Sequence, residues 1–178
     1  MKIFKDQLNR TIEVPYSPQR IISVVPSQTE LLYYLGLGDK VVGITKFCIH
    51  PDEWFRTKTR VGGTKTLDID KIRELQPDLI IANKEENDQS QIELLAQEFP
   101  VWISDINNVS EALEMIIEVG NITNTAPLAQ QLISDVTKGF ESIQQLPNTR
   151  TAYFIWRGPW MVAGHTTYIN DLLARCGM

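Results

Sequence analysis

The sequence predicts an α/β fold: one lobe with a parallel sheet and helices on both faces, a long backbone helix, then an incomplete second α/β lobe. Three observations predict it. From Arg20 to Ile103, short β-branched runs alternate with helix-type periodicity, the pattern of a parallel sheet covered on both faces. Further on, Leu128, Leu132, Val136, Phe140 and Ile143 recur every three or four residues, and Ala129 and Ile133 widen the stripe, as one buried helix face requires. After Pro147 a strand, a turn and one helix follow, too little to bury a core of their own.

Lys2 to Lys5 and Arg10 to Val14 read as a hairpin around Asp6-Gln7-Leu8-Asn9, closed off by Pro15 and Pro18. Ile21-Ile22-Ser23-Val24-Val25 is a buried parallel strand. Ser27-Gln28-Thr29-Glu30 has the spacing of a capping box and predicts a helix from Glu30 to Leu35, ended by Gly36. Val41 to Ile44, Val61 to Gly63, Leu79 to Ala82 and Val101 to Ile103 are further strands. Asp68 and Asp88 are placed to cap the intervening helices, and Asn108 or Ser110 the next.

The long helix starts at Thr125, with Pro127 in its first turn, and ends at Leu146-Pro147. Roughly 20 residues give a rod of about 30 Å, the width of a small domain. Thr151 to Trp156 and Met161 to Ala163 are strands around Arg157-Gly158-Pro159-Trp160, and Thr167 begins a last amphipathic helix. The domain division is 1–108 for the N-terminal lobe, 109–146 for the connecting helices, and 147–178 for the start of a second lobe.

A hydrophobic content of 43% with 22% charged residues is that of a soluble globular protein. The net charge of −5 argues against nucleic-acid binding. No apolar run approaches eighteen residues, and Met1 to Asp6 lack the apolar stretch of a signal peptide. The expectation is a cytoplasmic chain if Met1 is the native start, or an exported one whose signal was removed. Cys48 and Cys176 share no metal-type spacing and fall in different lobes, so both are expected to be free.

The run Arg20-Ile21-Ile22-Ser23-Val24-Val25-Pro26-Ser27-Gln28-Thr29-Glu30 resembles the opening of the periplasmic cobalamin and ferric-siderophore binding proteins. These are the solute receptors of ABC importers, also called helical-backbone metal receptors. The order of features continues through Phe47-Cys48 to Pro51, Val61-Gly62-Gly63, Leu75-Gln76-Pro77-Asp78-Leu79-Ile80, the long helix, and Ile155-Trp156-Arg157 to Pro159-Trp160-Met161. The resemblance covers essentially the whole chain and is greatest to the cobalamin-binding branch. It implies a periplasmic or extracytoplasmic receptor whose two lobes are joined by a stiff helix, so that closure is modest. A corrinoid, ferric siderophore or haem would lie in the cleft, no cofactor would be required, and an ABC permease in the membrane would be the partner.

In such sheets, ligands lie beyond the carboxyl ends of the strands. The resemblance assigns ligand contact to Trp156, Arg157 and Trp160, whose rings suit a macrocycle or catecholate and whose guanidinium suits a carboxylate or amide oxygen. The bland alternative makes both rings core residues. Ser27, Phe47, Cys48 and His50 belong to facing loops, where His50 or Cys48 is a candidate axial ligand to iron or cobalt. Otherwise His50 is solvated and Cys48 is a small buried hydrophobe. Asn83, Lys84 and Glu85, with Glu86, form a polar rim or simply a solvated loop. Asp70 matches the acidic permease-docking position of the first lobe or is a helix N-terminal acid; the matching acid of the second lobe would lie beyond Met178.

The sequence bears on three other readings. A nucleotide-dependent enzyme would need glycines after the first strand, and Val25-Pro26-Ser27-Gln28 has none. No nucleophile elbow surrounds Ser27, so an enzyme is not expected. A receptor for bare zinc or manganese would need more ligands than His50 and His165. A cytosolic remnant of the fold, acting in interaction or small-molecule sensing, is the alternative to transport. The unfinished second lobe predicts exposed apolar surface near Phe140, Ile143 and Leu173, and with it a possible homodimer.

Overall fold

The computed structural model describes residues 1–144 and 149–178. Its elements run β1 Lys2–Lys5, β2 Thr11–Val14, β3 Ile21–Ser23, α1 Pro26–Tyr34, β4 Val41–Ile44, α2 Asp52–Thr57, β5 Thr59–Arg60, β6 Gly62–Gly63, β7 Thr66–Leu67 and α3 Ile69–Leu75. Then come β8 Leu79–Asn83, α4 Gln89–Ala96, β9 Val101–Ser104, α5 Val109–Thr123, α6 Ala126–Glu141, β10 Phe154–Trp156, β11 Met161–Val162 and α7 Tyr168–Arg175.

The predicted α/β architecture is present. β5, β4, β3, β8 and β9 lie side by side in that order, every neighbouring pair parallel. Alternation along the strands feeds two cores. Ile21, Leu79 and Ile81 pack with Leu31 and Leu32 of α1 and with Met115, Val119 and Ile122 of α5. Ile22, Ile80 and Ala82 pack on the other face with Ile72 of α3 and Ile92 and Leu95 of α4. The β1–β2 hairpin seals the β9 edge, where Gln7 N–H donates to Ile103 O at 3.1 Å and Trp102 Nε1 donates to Lys5 O at 3.2 Å.

The caps at Asp68, Asp88 and Asn108 are real. Each side chain accepts a backbone N–H three residues on, at 3.1, 3.1 and 2.9 Å. The capping box at Ser27 does not form. α1 begins earlier, at Pro26, and its N-cap Val25 makes no side-chain bond. The fixed φ of proline suits a first helical position, and Thr29, buried, turns back toward Val25 O at 2.9 Å.

The long helix is also corrected. α6 has 16 residues and ends at Glu141, with Ser142 N–H turning back to Lys138 O and Gly139 O. At 1.5 Å per residue it spans about 24 Å. A glycine in its last turn weakens the helix there; the predicted stop at Leu146-Pro147 lies outside the described residues. Thr125 is its N-cap position but bonds Thr123 Oγ1 rather than the helix. The backbone is in fact a pair of helices. A Cβ added at Gly120 of α5 would sit 2.5 Å from Ala129 Cβ of α6, so only glycine permits this approach.

The exposed apolar surface is displaced from its predicted place. Phe140 and Leu173 are half-buried, because α7 lies over that end of the helix pair, and Ile143 alone of the three is exposed. The larger exposed set is Tyr153, Phe154, Ile155, Trp156, Trp160, Met161 and Val162, in and around the β10–β11 hairpin.

Candidate functional site

The first-lobe loops at the carboxyl edge of the sheet are held by a buried polar lattice. Thr29 Oγ1 on α1 lies 2.8 Å from Ser23 Oγ and 3.1 Å from Cys48 Sγ, and Thr45 Oγ1 is 3.2 Å from the same sulfur. Phe47 N–H donates to Thr45 Oγ1 at 3.3 Å. With the backbone of 45–48 pinned inward, Phe47 is left 52% exposed. Its ring lies against Gly63 of the β6–β7 hairpin, where an added Cβ would come within 3.1 Å, and Lys46 Nζ stands 5.2 Å from the ring centroid. Ser27 is exposed in the first turn of α1, a turn with no acidic residue.

The β8 loop is tied just as firmly. Asn83 Oδ1 accepts the N–H groups of Glu85 and Glu86, both at 2.9 Å, and its Nδ2 donates to Ser104 Oγ at 2.9 Å. Asn87, buried, joins three loops: its Oδ1 accepts Asn83 N–H at 2.8 Å, and its Nδ2 donates to Val24 O and Thr64 O, each at 3.1 Å. Lys84 Nζ pairs with Asp105 Oδ2 at 2.6 Å, and this hydrogen-bonded carboxylate raises the lysine above its ordinary range. Glu85 is exposed.

The C-terminal segment carries a different kind of surface. β10 and β11 pair antiparallel with a register shift between Phe154 and Trp156. Trp156 and Trp160 are 63% and 66% exposed. The Arg157 guanidinium carbon lies 5.5 Å from the Trp160 ring centroid, and Phe154 meets that ring edge-on at 5.4 Å. This is a cationic and aromatic platform open to solvent. α7 anchors the segment: Asp171 Oδ2 accepts the N–H of Val109, the first residue of α5, at 2.9 Å. α5 itself starts just past the carboxyl end of β9, so α7 is fixed on the side of the sheet where the loops lie.

A sequence profile of the Periplasmic binding protein family matches residues 21–178. The chain belongs to this periplasmic binding protein family. It is 29% identical over 180 residues to an uncharacterized ABC transporter substrate-binding lipoprotein, YvrC of Bacillus subtilis, covering 94% of this chain and 57% of that protein. It is 31% identical over 168 residues to the Vitamin B12-binding protein of Vibrio cholerae, covering 92% of this chain and 60% of that one. The crystal structure of the periplasmic vitamin B12 binding protein BtuF of Vibrio cholerae matches with a TM-score of 0.76 at 26% identity, over 92% of this chain and 66% of that one. The siderophore binding protein BauB shares the fold, with a TM-score of 0.83 at 19% identity over 99% and 66% of the two chains. This periplasmic binding protein chain thus spans about three-fifths of the length of the curated relatives it matches.

Of the residues singled out in the sequence, the structure brings Arg157 and Trp160 into contact and gathers Asn83, Lys84 and Glu85 on one loop. Cys48 stands apart: its sulfur faces Thr29 and Thr45 in the core and holds the loop from below. His50 is exposed and lines a shallow depression with Glu30, Tyr33, Tyr34 and Pro51, on the flank of α1. Among the described residues no group of three or more His, Cys, Asp and Glu side chains could hold a metal ion. Both cysteines are free. Asp70, its side chain 89% exposed, lies on α3, 3.2 Å from Arg73, which pairs more closely with Glu98 at 2.6 Å. Sequence reasoning missed Asn87, Asp105 and Asp171. Asn87 and Asp105 had one legible sign, a polar residue just past a buried strand; Asp171 had none, since its partner is a backbone N–H 62 residues away.

Proposed function

We propose that this chain is the solute-binding component of an ABC importer, working outside the cytoplasm, and that it captures a corrinoid, a ferric siderophore or a haem-type chelate. The observation that carries the reading is the solvent-facing contact of Arg157 with Trp160, with Trp156 exposed on the same hairpin, borne on a chain of this family. Flat, polarisable rings gain most against a macrocycle or a catecholate, and a guanidinium beside them adds a charge-assisted hydrogen bond to a carboxylate or amide oxygen. A solute receptor needs no catalytic group, so binding and release are its whole chemistry.

The proposed cleft lies between this platform and the first-lobe rim. Phe47 supplies a second aromatic face, Ser27 a hydroxyl, and Lys84 and Glu85 the polar margin. Asn83 acts there by shaping the loop, and Cys48 by fixing the backbone beneath Phe47. His50 is placed at the margin; axial ligation of a chelated metal by it would require the ligand to reach the flank of α1. In this reading residues 1–108 are the first lobe, 109–144 carry the connecting helices and 149–178 are the opposing wall, with Asp70 offered to an arginine of the permease. Cobalamin is favoured among the ligands by the relatives named Vitamin B12-binding protein.

Tryptophan fluorescence titration with cyanocobalamin, haemin and ferric siderophores, checked by equilibrium dialysis, tests the reading. One of these ligands is expected to quench the wild type in the micromolar range or below, and Trp156→Phe with Trp160→Phe is expected to remove most of that quenching. A folded protein that none of them quenches or enters in dialysis overturns it.

A further inference from the structure

An ionic couple on α7 ties the C-terminal segment to the helix pair, beside the half-buried Tyr168, Ile169, Leu172 and Leu173 of the same helix. Asp171 and Arg175 lie one turn apart on α7, with Arg175 Nε donating to Asp171 Oδ2 at 2.9 Å. Each reaches a different helix. The carboxylate accepts Val109 N–H at the start of α5, and the guanidinium carbon lies 5.6 Å from the ring centroid of Phe140, in the last turn of α6. Val109, Leu113, Thr137, Phe140, Glu141 and Arg175 surround one shallow depression at this junction.

The Val109 N–H is one of the donors that a helix start leaves without an intrahelical partner. The local cap serves another: Asn108 Oδ1 accepts from Glu111 N–H at 2.9 Å. Asp171 therefore satisfies a second donor of the α5 terminus from a distant helix, where the positive end of the macrodipole also favours a carboxylate. The Val109 N–H, followed by Arg175, holds the Asp171 carboxyl below the usual carboxylate range. α5 is joined to β9 by 105–108, the loop whose Asp105 pairs with Lys84 on the rim. α7 follows the β10–β11 hairpin through residues 163–167.

We infer that Asp171 is a positioning residue for the cleft: by capping α5 from α7, it fixes where the Trp156–Arg157–Trp160 hairpin stands relative to the first-lobe rim. The couple combines a directional bond to backbone with a charge over an aromatic face, so it restrains rotation of α7 as well as its distance. Removing the carboxylate frees the Val109 N–H and leaves Arg175 without its i–4 partner, and the hairpin then samples a range of positions. The consequence for ligand capture rests on the function proposed above; the positional consequence does not.

The test separates the two. Nitroxides are placed by Gln97→Cys and Thr166→Cys, both exposed positions, in a Cys176→Ser background with the buried Cys48 left in place. Pulsed dipolar spectroscopy on the full chain is expected to give one narrow distance, broadened at least twofold by Asp171→Ala. Asp171→Asn, whose amide oxygen still accepts the Val109 N–H, is expected to fall between, and Asp171→Ala is expected to leave the far-ultraviolet circular dichroism within a few per cent. Coincident distributions for wild type and Asp171→Ala overturn the inference. Cyanocobalamin dialysis on the same proteins is the second reading. Tenfold weaker binding in Asp171→Ala with a broadened distance supports the inference for capture, unchanged binding despite that broadening overturns its extension to capture, and no binding by the wild type overturns the cobalamin reading alone.

Discussion

Leu79–Asn83 and Phe154–Trp156 are both short apolar strands, and they have opposite surroundings. Leu79, Ile80, Ile81 and Ala82 are buried, with strands on either side and helices over both faces. Phe154, Ile155 and Trp156 are all exposed, and among the described residues their strand pairs only with β11. The tryptophans divide in the same way: Trp54 and Trp102 are core residues, whereas Trp156 and Trp160 face solvent. Apolarity along a strand therefore does not decide burial; the presence of a covering layer does. A parallel strand between two others under helices has no alternative to burial, whereas a hairpin held by one helix displays its rings. The contrast separates what maintains the fold from what is available to a ligand.

The comparison is broken most forcefully at Trp102. Its ring is fully enclosed and its Nε1 is bonded to Lys5 O. Trp102→Ala is expected to cost about 3–5 kcal/mol, from lost transfer energy and the cavity left behind. Urea denaturation followed by far-ultraviolet circular dichroism measures this, and a loss under 1 kcal/mol would show that β9 is less enclosed than described. Next in size is Asn87→Ala, which strands Val24 O, Thr64 O and Asn83 N–H around a small void. About 1–3 kcal/mol is expected, with faster hydrogen exchange at 83–87, while the exchange of β10–β11 stays as it was.

A smaller effect is expected from acid, and it falls on the other region. The Asp171 carboxyl titrates below its ordinary value of about 3.9. A depressed folded value means that the unfolded chain binds the proton first, so the stabilisation is complete above that ordinary value and is lost as pH falls through the lower, folded one. The charged groups beside Asp171 are Arg175 on its own helix and Glu141 on α6, and of the two carboxylates only Asp171 holds the Val109 N–H. The distance between labels at 97 and 166 is expected to broaden in the wild type only as pH falls through that lowered, folded value, and to be pH-independent in Asp171→Ala. Equal broadening in both would assign the effect to other acids.

Much of the first region was legible because its signals are local. Buried parallel strands read as continuous β-branched runs, and Asp68, Asp88 and Asn108 cap helices within three residues of themselves. What escaped depended on partners far along the chain. Cys48 points inward because Thr29, nineteen residues earlier, bonds its sulfur. Ser27 loses its capping role because Pro26 already satisfies the geometry of a first helical residue. The stripe from Leu128 to Ile143 is continuous in sequence, yet the helix ends at Glu141 and only Ala129 is fully buried, since close packing against Gly120 selects one small residue. On the platform, the residue types were legible and the contact of Arg157 with Trp160 was not.

The smallest expected change is the sharpest discriminator between the two regions. Trp160 meets Phe154 and Arg157 but is two-thirds exposed, so truncating it removes little area from protein contact. Trp160→Ala is expected to change stability by less than about 0.5 kcal/mol, an order of magnitude below Trp102→Ala. In iodide quenching the wild type is expected to show two accessible and two protected tryptophans, and Trp160→Ala to remove one accessible emitter without altering the protected pair. A loss of 2 kcal/mol or more would mean that the ring is packed in solution, and a packed ring would have no face to offer a chelate. Near-neutral truncation combined with lost ligand quenching would instead assign Trp160 to binding and leave the fold to the buried pair.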